Sequence, residues 1–321
     1  MLKKIIAFIF KPIPSDWRDF LLSIKRFWRK NKVYPKEKAI IFFTEKGKWH
    51  GGFVDRMKGI VSVFHFCLCK NVPFKINYTF PFELTDFLLP NTYDWTINKN
   101  EISFHRKEAK FISFIGYKQP FKRVKNLNLE KQIHIFSNRD ITSLLNAEYG
   151  TNCTWGELFK KLFRPTEKLQ HAIDEHIKII GGNYISAVFR FQNLLGDFQE
   201  YNYQPVTQTK QDELIKKCKK SILALQNNET IKKILITSDS VRFLNAVLGL
   251  ENIFAFPSKV VHIDCVENEN NDVYMKSFLD FYLLSESEKI FSIGTDKMYK
   301  SHFPDYAAKI NNIPFERILI E

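Results

Sequence analysis

From Tyr184 to Ile310 the chain repeats one pattern four times, an apolar run followed by an amphipathic stretch of helical spacing. The runs are YISAVFRF, KKILITSD, KVVHIDC and KIFSIG. The stretches after them are Gln211–Gln226, SVRFLNAVLGL, DVYMKSFLDFYLLSES and TDKMYKSHFPDYAAKI. Strands without polar alternation are buried on both faces, and strand–helix succession joins neighbours in parallel. The expectation is therefore a parallel sheet covered by helices, whose ligand lies beyond the carboxyl ends of the strands. Polar residues stand at those ends: Arg190, Asp239 with Ser240, and Thr295, while Asp280 lies in a helix expected to face the same edge.

The first half reads similarly. AIIFF, VPFKINYTF and FISFIG alternate with a helix after Gly52 and with FELTDFLL. The basic stretch KQPFKRVKNLN then leads to the strand QIHIFSNRD, a helical region over Trp155–Ile180, and the pair Gly181–Gly182. At 321 residues, with 45% hydrophobic content and 31 Phe, the chain can bury two cores. The division expected is an N-terminal segment 1–37, an α/β domain 38–170 and a second α/β domain 171–321.

Between β-like AIIFF and the helix that follows lies the loop TEKGKWHGGF, with Gly47, Gly51 and Gly52. Glycines let such a loop turn tightly and approach a ligand, and the helix after it offers free N–H groups and a positive dipole end. An anionic or sugar-linked ligand suits this turn, and so does a plain strand-to-helix connection. His50 reads either as a base or as a surface histidine beside Trp49.

The formal charge is +13. Nucleic acid is not favoured as the partner, because no helix-turn-helix, zinc-finger or RNP pattern is present and the lysines are spread along the chain. The N-terminal segment interleaves Lys and Arg with Trp17, Phe20, Leu21, Leu22, Phe27 and Trp28, as an interfacial helix on an anionic membrane would, or as a basic helix packed on the domain would. The five cysteines, Cys67, Cys69, Cys153, Cys218 and Cys265, show no metal-ligand spacing and read as reduced core thiols. Without a secretory or membrane-spanning pattern, the expected location is cytoplasmic, peripheral on the inner membrane face.

Among the polar strand ends, Arg190 is suited to a bidentate bond with a phosphate, or to a structural pair with Asp197. Thr295 suits an N-cap of the helix after it and a contact to a phosphate oxygen. Asp239 and Ser240 form a strand-to-helix junction where a carboxylate commonly caps.

These segments resemble a known family. HGGFVDRMKGI is similar to the G-G-x-G-[DN]-R loop of the GDP-fucose-dependent fucosyltransferase superfamily, which includes the α1,2-, α1,6-, nodulation-factor and protein O-fucosyltransferases. VFRF stands where that family carries H-x-R-R, TSDS resembles its T-D-[DS] turn, FLDFYLLSES its D-x-x-x-L-S helix, and FSIGTDK its Ser-rich phosphate-side turn. The order and spacing match from Lys38 to Ile310. The resemblance implies a GT-B-like fold, two Rossmann-like α/β domains with parallel sheets facing a cleft, and an inverting, metal-independent glycosyltransferase without cofactor. It would move fucose or a related sugar from a GDP-sugar donor to a glycan or lipid-linked oligosaccharide. It assigns Arg190 to the β-phosphate, Asp280 to guanine, Asp239 with Ser240 to the nucleoside side, and Thr295 to a phosphate oxygen. Gly51, Gly52, Asp55 and Arg56 would line the sugar side, with His50, Asp55, Asp197 and Glu200 as candidate bases. The family's histidine, second arginine, last loop glycine and one serine are here Val188, Phe191, Val54 and Asp296. Those departures keep open a non-catalytic nucleotide- or glycan-binding protein of the same fold.

Overall fold

A computed structural model describes residues 26–27, 38–46, 50–114, 120–125, 127, 129–198, 204–263 and 271–321. In chain order its strands are β1 (Ile40–Thr44), β2 (Phe74–Tyr78), β3 (Leu88–Pro90), β4 (Ala109–Ser113), β5 (Gln132–Phe136), β6 (Phe163–Pro165), β7 (Ile185–Phe189), β8 (Ile234–Ser238), β9 (Ile253–Ala255), β10 (Ile290–Gly294) and β11 (Phe315–Leu319). Its helices are α1 (Phe53–Lys70), α2 (Pro120–Lys125), α3 (Thr142–Tyr149), α4 (Trp155–Leu162), α5 (Glu167–Ile180), α6 (Gln208–Asn228), α7 (Val241–Val247), α8 (Asp272–Ser285) and α9 (Phe303–Asn311).

These elements form two compact units. The first holds the described residues up to His50 with Asp55–Phe80 and Thr92–Cys153; the second holds Gly51–Val54, Pro81–Asn91 and Thr154–Glu321. The sequence placed the division at 170/171, whereas α4 and β6 pack with the second unit, as do the two excursions near the glycine loop and FELTDFLL.

The first unit is built on a parallel sheet of order β2-β1-β5-β4. Every residue of β1 and β5 is buried, as strands covered on both faces require. Helix α1 crosses close above the chain leaving β5: a Cβ at Gly59 would stand 2.0 Å from the Ser137 carbonyl oxygen. Only a residue without a side chain permits this approach. Of the N-terminal segment, Arg26 and Phe27 are described, and both pack into this unit. Arg26 pairs with Glu45, donates to His134 Nδ1 at 2.9 Å and lies 4.1 Å over the Phe43 ring. Burial, with the Arg26 charge beside it, holds His134 well below the ordinary histidine value, so the ring is neutral. The remainder of the proposed interfacial helix lies outside the described residues.

The second unit carries a parallel sheet of order β11-β10-β7-β8-β9. Its core gathers Phe189, Phe191, Cys218, Ile222, Ile236, Phe243 and Ile293. Helix α8 packs against α5 and α9. Phe53 enters this layer edge-on to Phe278 and Phe281, with centroids 4.7 and 5.0 Å away. Gly156 brings α4 against the end of α9, where a Cβ would meet the Lys309 carbonyl oxygen at 2.0 Å.

Four local readings are corrected. The third strand of the repeat is Ile253–Ala255, and the run KVVHIDC is irregular over its described residues, with Asp264 and Cys265 outside them. FELTDFLL forms a one-turn 3₁₀ segment at Leu84–Asp86 and then β3, which pairs antiparallel with β6. No helix starts at Thr295; the helix of that stretch begins at Phe303, with Pro304 in its first turn. PFERILI supplies a fifth strand, β11, unforeseen because its side chains are largely exposed or half-buried at the sheet edge. The four described cysteines are free, and Cys69 and Cys153 are half-buried rather than core.

Gly59→Ala and Gly156→Ala are each expected to lose roughly 3 kcal/mol or more of stability, because the added methyl meets backbone that cannot retreat. Gly52→Ala, whose Cβ would meet nothing nearer than His262 at 3.7 Å, serves as the control and should unfold with the wild type. Urea unfolding of the three variants tests the contrast.

Candidate functional site

Strand order places the reversal of the second sheet between β7 and β10, since the chain runs β7-β8-β9 in one direction and then crosses to β10 and β11 on the other side. The crevice at such a reversal is where open α/β sheets take their ligands. Arg190 follows β7 directly and Thr295 follows β10 directly, so these two residues flank it. The Tyr299 amide donates to the Arg190 carbonyl at 3.2 Å, tying the loop after β10 to the end of β7.

Arg190 is anchored from beneath. Its Nη1 lies 2.8 Å from Asp239 Oδ2, and its guanidinium sits 4.3 Å over the Phe198 ring. The sequence offered Asp197 as the structural partner; the structure gives that part to Asp239, which stands on the neighbouring strand end. The Asp239 side chain is 2% exposed. Its Oδ1 accepts from the Phe191 amide at 2.9 Å and its Oδ2 from the Gln192 amide at 2.7 Å. Those bonds hold Gln192 at φ +54°, in the left-handed region that a non-glycine residue seldom adopts. Burial raises the Asp239 carboxyl above its ordinary value, and the Arg190 charge and the two amides pull the other way.

Around this anchor the hydroxyls serve the backbone. Ser240 is buried; its Oγ donates to Asp197 Oδ2 at 2.9 Å and accepts from the Phe243 amide at 3.1 Å, capping α7. Asp197 Oδ2 also accepts from the Arg242 amide at 2.9 Å. Thr295 Oγ1 accepts from the Lys297 amide at 3.3 Å and closes a turn rather than capping a helix. Beside Thr295 opens a cavity of about 550 Å³, lined by Leu194, Leu214 and Ile320 and by charges of both signs, Lys210, Lys217 and Lys297 with Glu213, Asp296 and Glu321. That volume suits a small-molecule ligand.

Asp280 stands apart from this group, on α8. It is buried and paired with Lys276 one turn earlier, and burial raises its carboxyl above the usual range against the pull of Lys276. Gly51, at φ +83°, and Gly52 belong with the second unit, where Gly52 approaches His262.

His50, Asp55 and Arg56 belong to the first unit. His50 is 2% exposed, not a surface histidine: Nε2 accepts from the Glu45 amide at 2.9 Å and the ring meets Phe136 edge-on at 4.9 Å. Asp55 is half-exposed in the first turn of α1 and pairs with Lys58 at 2.8 Å. Arg56, expected to face the sugar side, is 0% exposed, with Nη1 donating to the Tyr78 hydroxyl at 2.9 Å and the Phe80 carbonyl at 2.6 Å. It locks the end of β2 from inside. Gly47 and Glu200 lie outside the described residues.

Sequence reasoning missed Phe198 beneath Arg190, the turn at Gln192 and the Tyr299 tie. Nothing in their spacing announced them. The Lys276–Asp280 pair was legible as an i,i+4 pair on a helix. Among the described residues no cluster of His, Cys, Asp and Glu is arranged to hold a metal ion, and no helix is long and apolar enough to cross a membrane.

Comparison with solved structures bears on this geometry. A mutant of Arabidopsis thaliana FUT1 in complex with GDP superposes with a TM-score of 0.56 at 12% identity, covering 94% of this chain and 78% of its own. The α-1,6-fucosyltransferase NodZ of Bradyrhizobium, co-crystallized with GDP, gives 0.53 at 14% identity over 85% of this chain and 92% of its own. The same enzyme soaked with GDP-fucose gives 0.52 at 12% identity. The chain has the fucosyltransferase fold. That fold is GT-B-like, with a parallel α/β sheet in each of the two units. No protein-family model matches the chain, and no curated protein matches it in sequence.

Because burial is the largest influence on Asp239, its folded value lies above its unfolded one, and the folded protein binds this proton more readily. The contribution to stability is thus fully present below the ordinary carboxylate range and is lost as pH rises through the raised value. Asp239→Asn should lack that pH-dependent component, and at neutral pH it should unfold in urea with about 3 kcal/mol or more less stability than the wild type, because the amide nitrogen that replaces one oxygen faces a backbone N–H and Arg190 loses its counter-charge. A variant as stable as the wild type would show instead that the cost of burying the carboxylate outweighs its bonds.

Proposed function

We propose that the protein is a glycosyltransferase that uses a GDP-sugar, fucose being the sugar of the similar enzymes, and that the nucleotide diphosphate binds in the second unit at the β7/β10 crevice. The observation that carries this reading is Arg190, fixed by Asp239 and Phe198 at the carboxyl end of β7 and flanked by Thr295. When the bond between the sugar C1 and the phosphate oxygen breaks, negative charge grows on the diphosphate. A guanidinium already held in place stabilises that charge without reorganising. The acceptor hydroxyl attacks C1 from the opposite face, inverting it, and gives its proton to a base. Asp55, half-exposed and steadied by Lys58, is readier for this than His50, whose Nε2 already takes the Glu45 amide. In this reading no metal enters the reaction, the acceptor is a glycan or lipid-linked oligosaccharide, and the enzyme works at the cytoplasmic membrane face.

A second reading, a non-catalytic binding protein of the same fold, draws support from β7. Val188 and Phe191 stand where the family carries histidine and a second arginine, and both are buried. Phe191 packs 4.9 Å from Phe243 and leaves Arg190 without that companion.

One measurement separates these readings. GDP should raise the melting temperature under either one, whereas release of GDP from GDP-fucose in the presence of acceptor, undiminished by excess EDTA, is expected only of the enzyme. Arg190→Ala should keep the fold and weaken GDP binding by about 1.5–3 kcal/mol, roughly 10- to 150-fold in Kd. Wild-type affinity in that variant would remove the diphosphate from this crevice.

A further inference from the structure

Helix α6 carries a face of lysines that form no ion pair among the described residues. Lys216, Lys217 and Lys220 are exposed and Lys219 is half-exposed. None of the four has an ion-pair or hydrogen-bond partner among the described residues. Several other lysines of the unit are engaged: Lys168 with Asp272, Lys276 with Asp280, Lys289 with Glu229 and Glu316, and Lys232 and Lys233 with backbone carbonyls. The acidic residues nearby do not neutralise the face. Asp212 is held by Arg242 at 2.6 Å, and exposed Glu213, one turn before Lys217, makes no ion pair with it. Lys216 lies three residues from Lys219 and four from Lys220, spacings at which like charges on a helix repel. An arrangement that costs stability in the isolated protein is relieved by a negative surface.

The chemistry of the face selects among such surfaces. Leu223, 44% exposed, follows Lys219 and Lys220 by one turn, so an apolar side chain projects beside the cations. The helix carries neither arginine nor an aromatic residue, the groups that grip phosphates bidentately and stack on bases. Lysines flanking an exposed leucine suit lipid headgroups over an acyl boundary. We propose that α6 docks the protein on an anionic lipid bilayer, its lysines among the headgroups and Leu223 entering the interface. The inference does not depend on the proposed reaction or on the segment before Arg26.

The test is co-sedimentation of the full chain with phosphatidylcholine vesicles containing about one-third phosphatidylglycerol, against pure phosphatidylcholine, at low and high salt. Binding is expected with the anionic vesicles alone and should weaken with salt. K216E/K219E/K220E should lower the partition coefficient roughly tenfold or more, and Leu223→Ser should lower it without changing the salt dependence. Wild-type far-UV circular dichroism and a cooperative melting transition in the variants separate loss of docking from loss of fold. Should the charge-reversed variant fail to fold, the triple Lys→Gln variant gives the same reading. Wild-type partition in the folded variant would move docking to another face, and failure of the wild type to bind anionic vesicles would overturn the proposal. Binding of duplex DNA that is tighter than vesicle binding and lost in the same variant would assign the face to nucleic acid and overturn it equally.

Discussion

The second unit depends on one buried carboxylate. Asp239 takes two backbone amides and a guanidinium, which satisfies both oxygens inside the protein and fixes the chain beyond β7 in a conformation it would otherwise avoid. A charge so deeply placed is costly, and the upward displacement of its carboxyl value shows that its partners do not wholly offset the cost. What the charge secures is geometry. β7 and β8 are joined at their carboxyl ends, where the Arg190 guanidinium is held by Asp239 and the Phe198 ring.

Elsewhere the aromatic content does the positioning. In the second unit Phe53, Phe278, Phe281 and Phe303 meet edge-on or tilted. Edge-to-face contacts between rings are directional as well as apolar, so they orient the side chains that they pack.

Arginine is used in two ways. Arg26 and Arg56 are consumed inside the first unit: one lies over phenylalanine rings and pairs with Glu45, the other bonds Tyr78 and the Phe80 carbonyl. Arg190 has the same kinds of partner, a carboxylate and a ring, yet stands at the carboxyl end of the sheet's central strand with part of its side chain exposed. Residue type and motif spacing look alike in Arg56 and Arg190; exposure distinguishes them. Lysine, by contrast, remains at the surface of α6 as uncompensated charge.

The fold class, the parallel sheets and the residues at the ends of β7, β8 and β10 are legible in the chain, because strands buried on both faces leave unbroken apolar runs that end abruptly in polar residues. So is the lone arginine after β7, with phenylalanine beside it. What those residues touch follows from packing between distant segments. Asp239 rather than Asp197 holds Arg190 because β8, not the following loop, lies beside β7. Thr295 closes a turn because Pro304 suits the first turn of a helix and not its interior, so α9 starts at Phe303. Asp280 is drawn to Lys276 within its own helix. Ile253–Ala255 prevails over KVVHIDC as the edge strand, although both runs are apolar, because the β8 register reaches Asn252 first. Local pattern records which residues avoid water. The partner each one finds is set by chain segments distant in sequence, and spacing along the chain carries no trace of them.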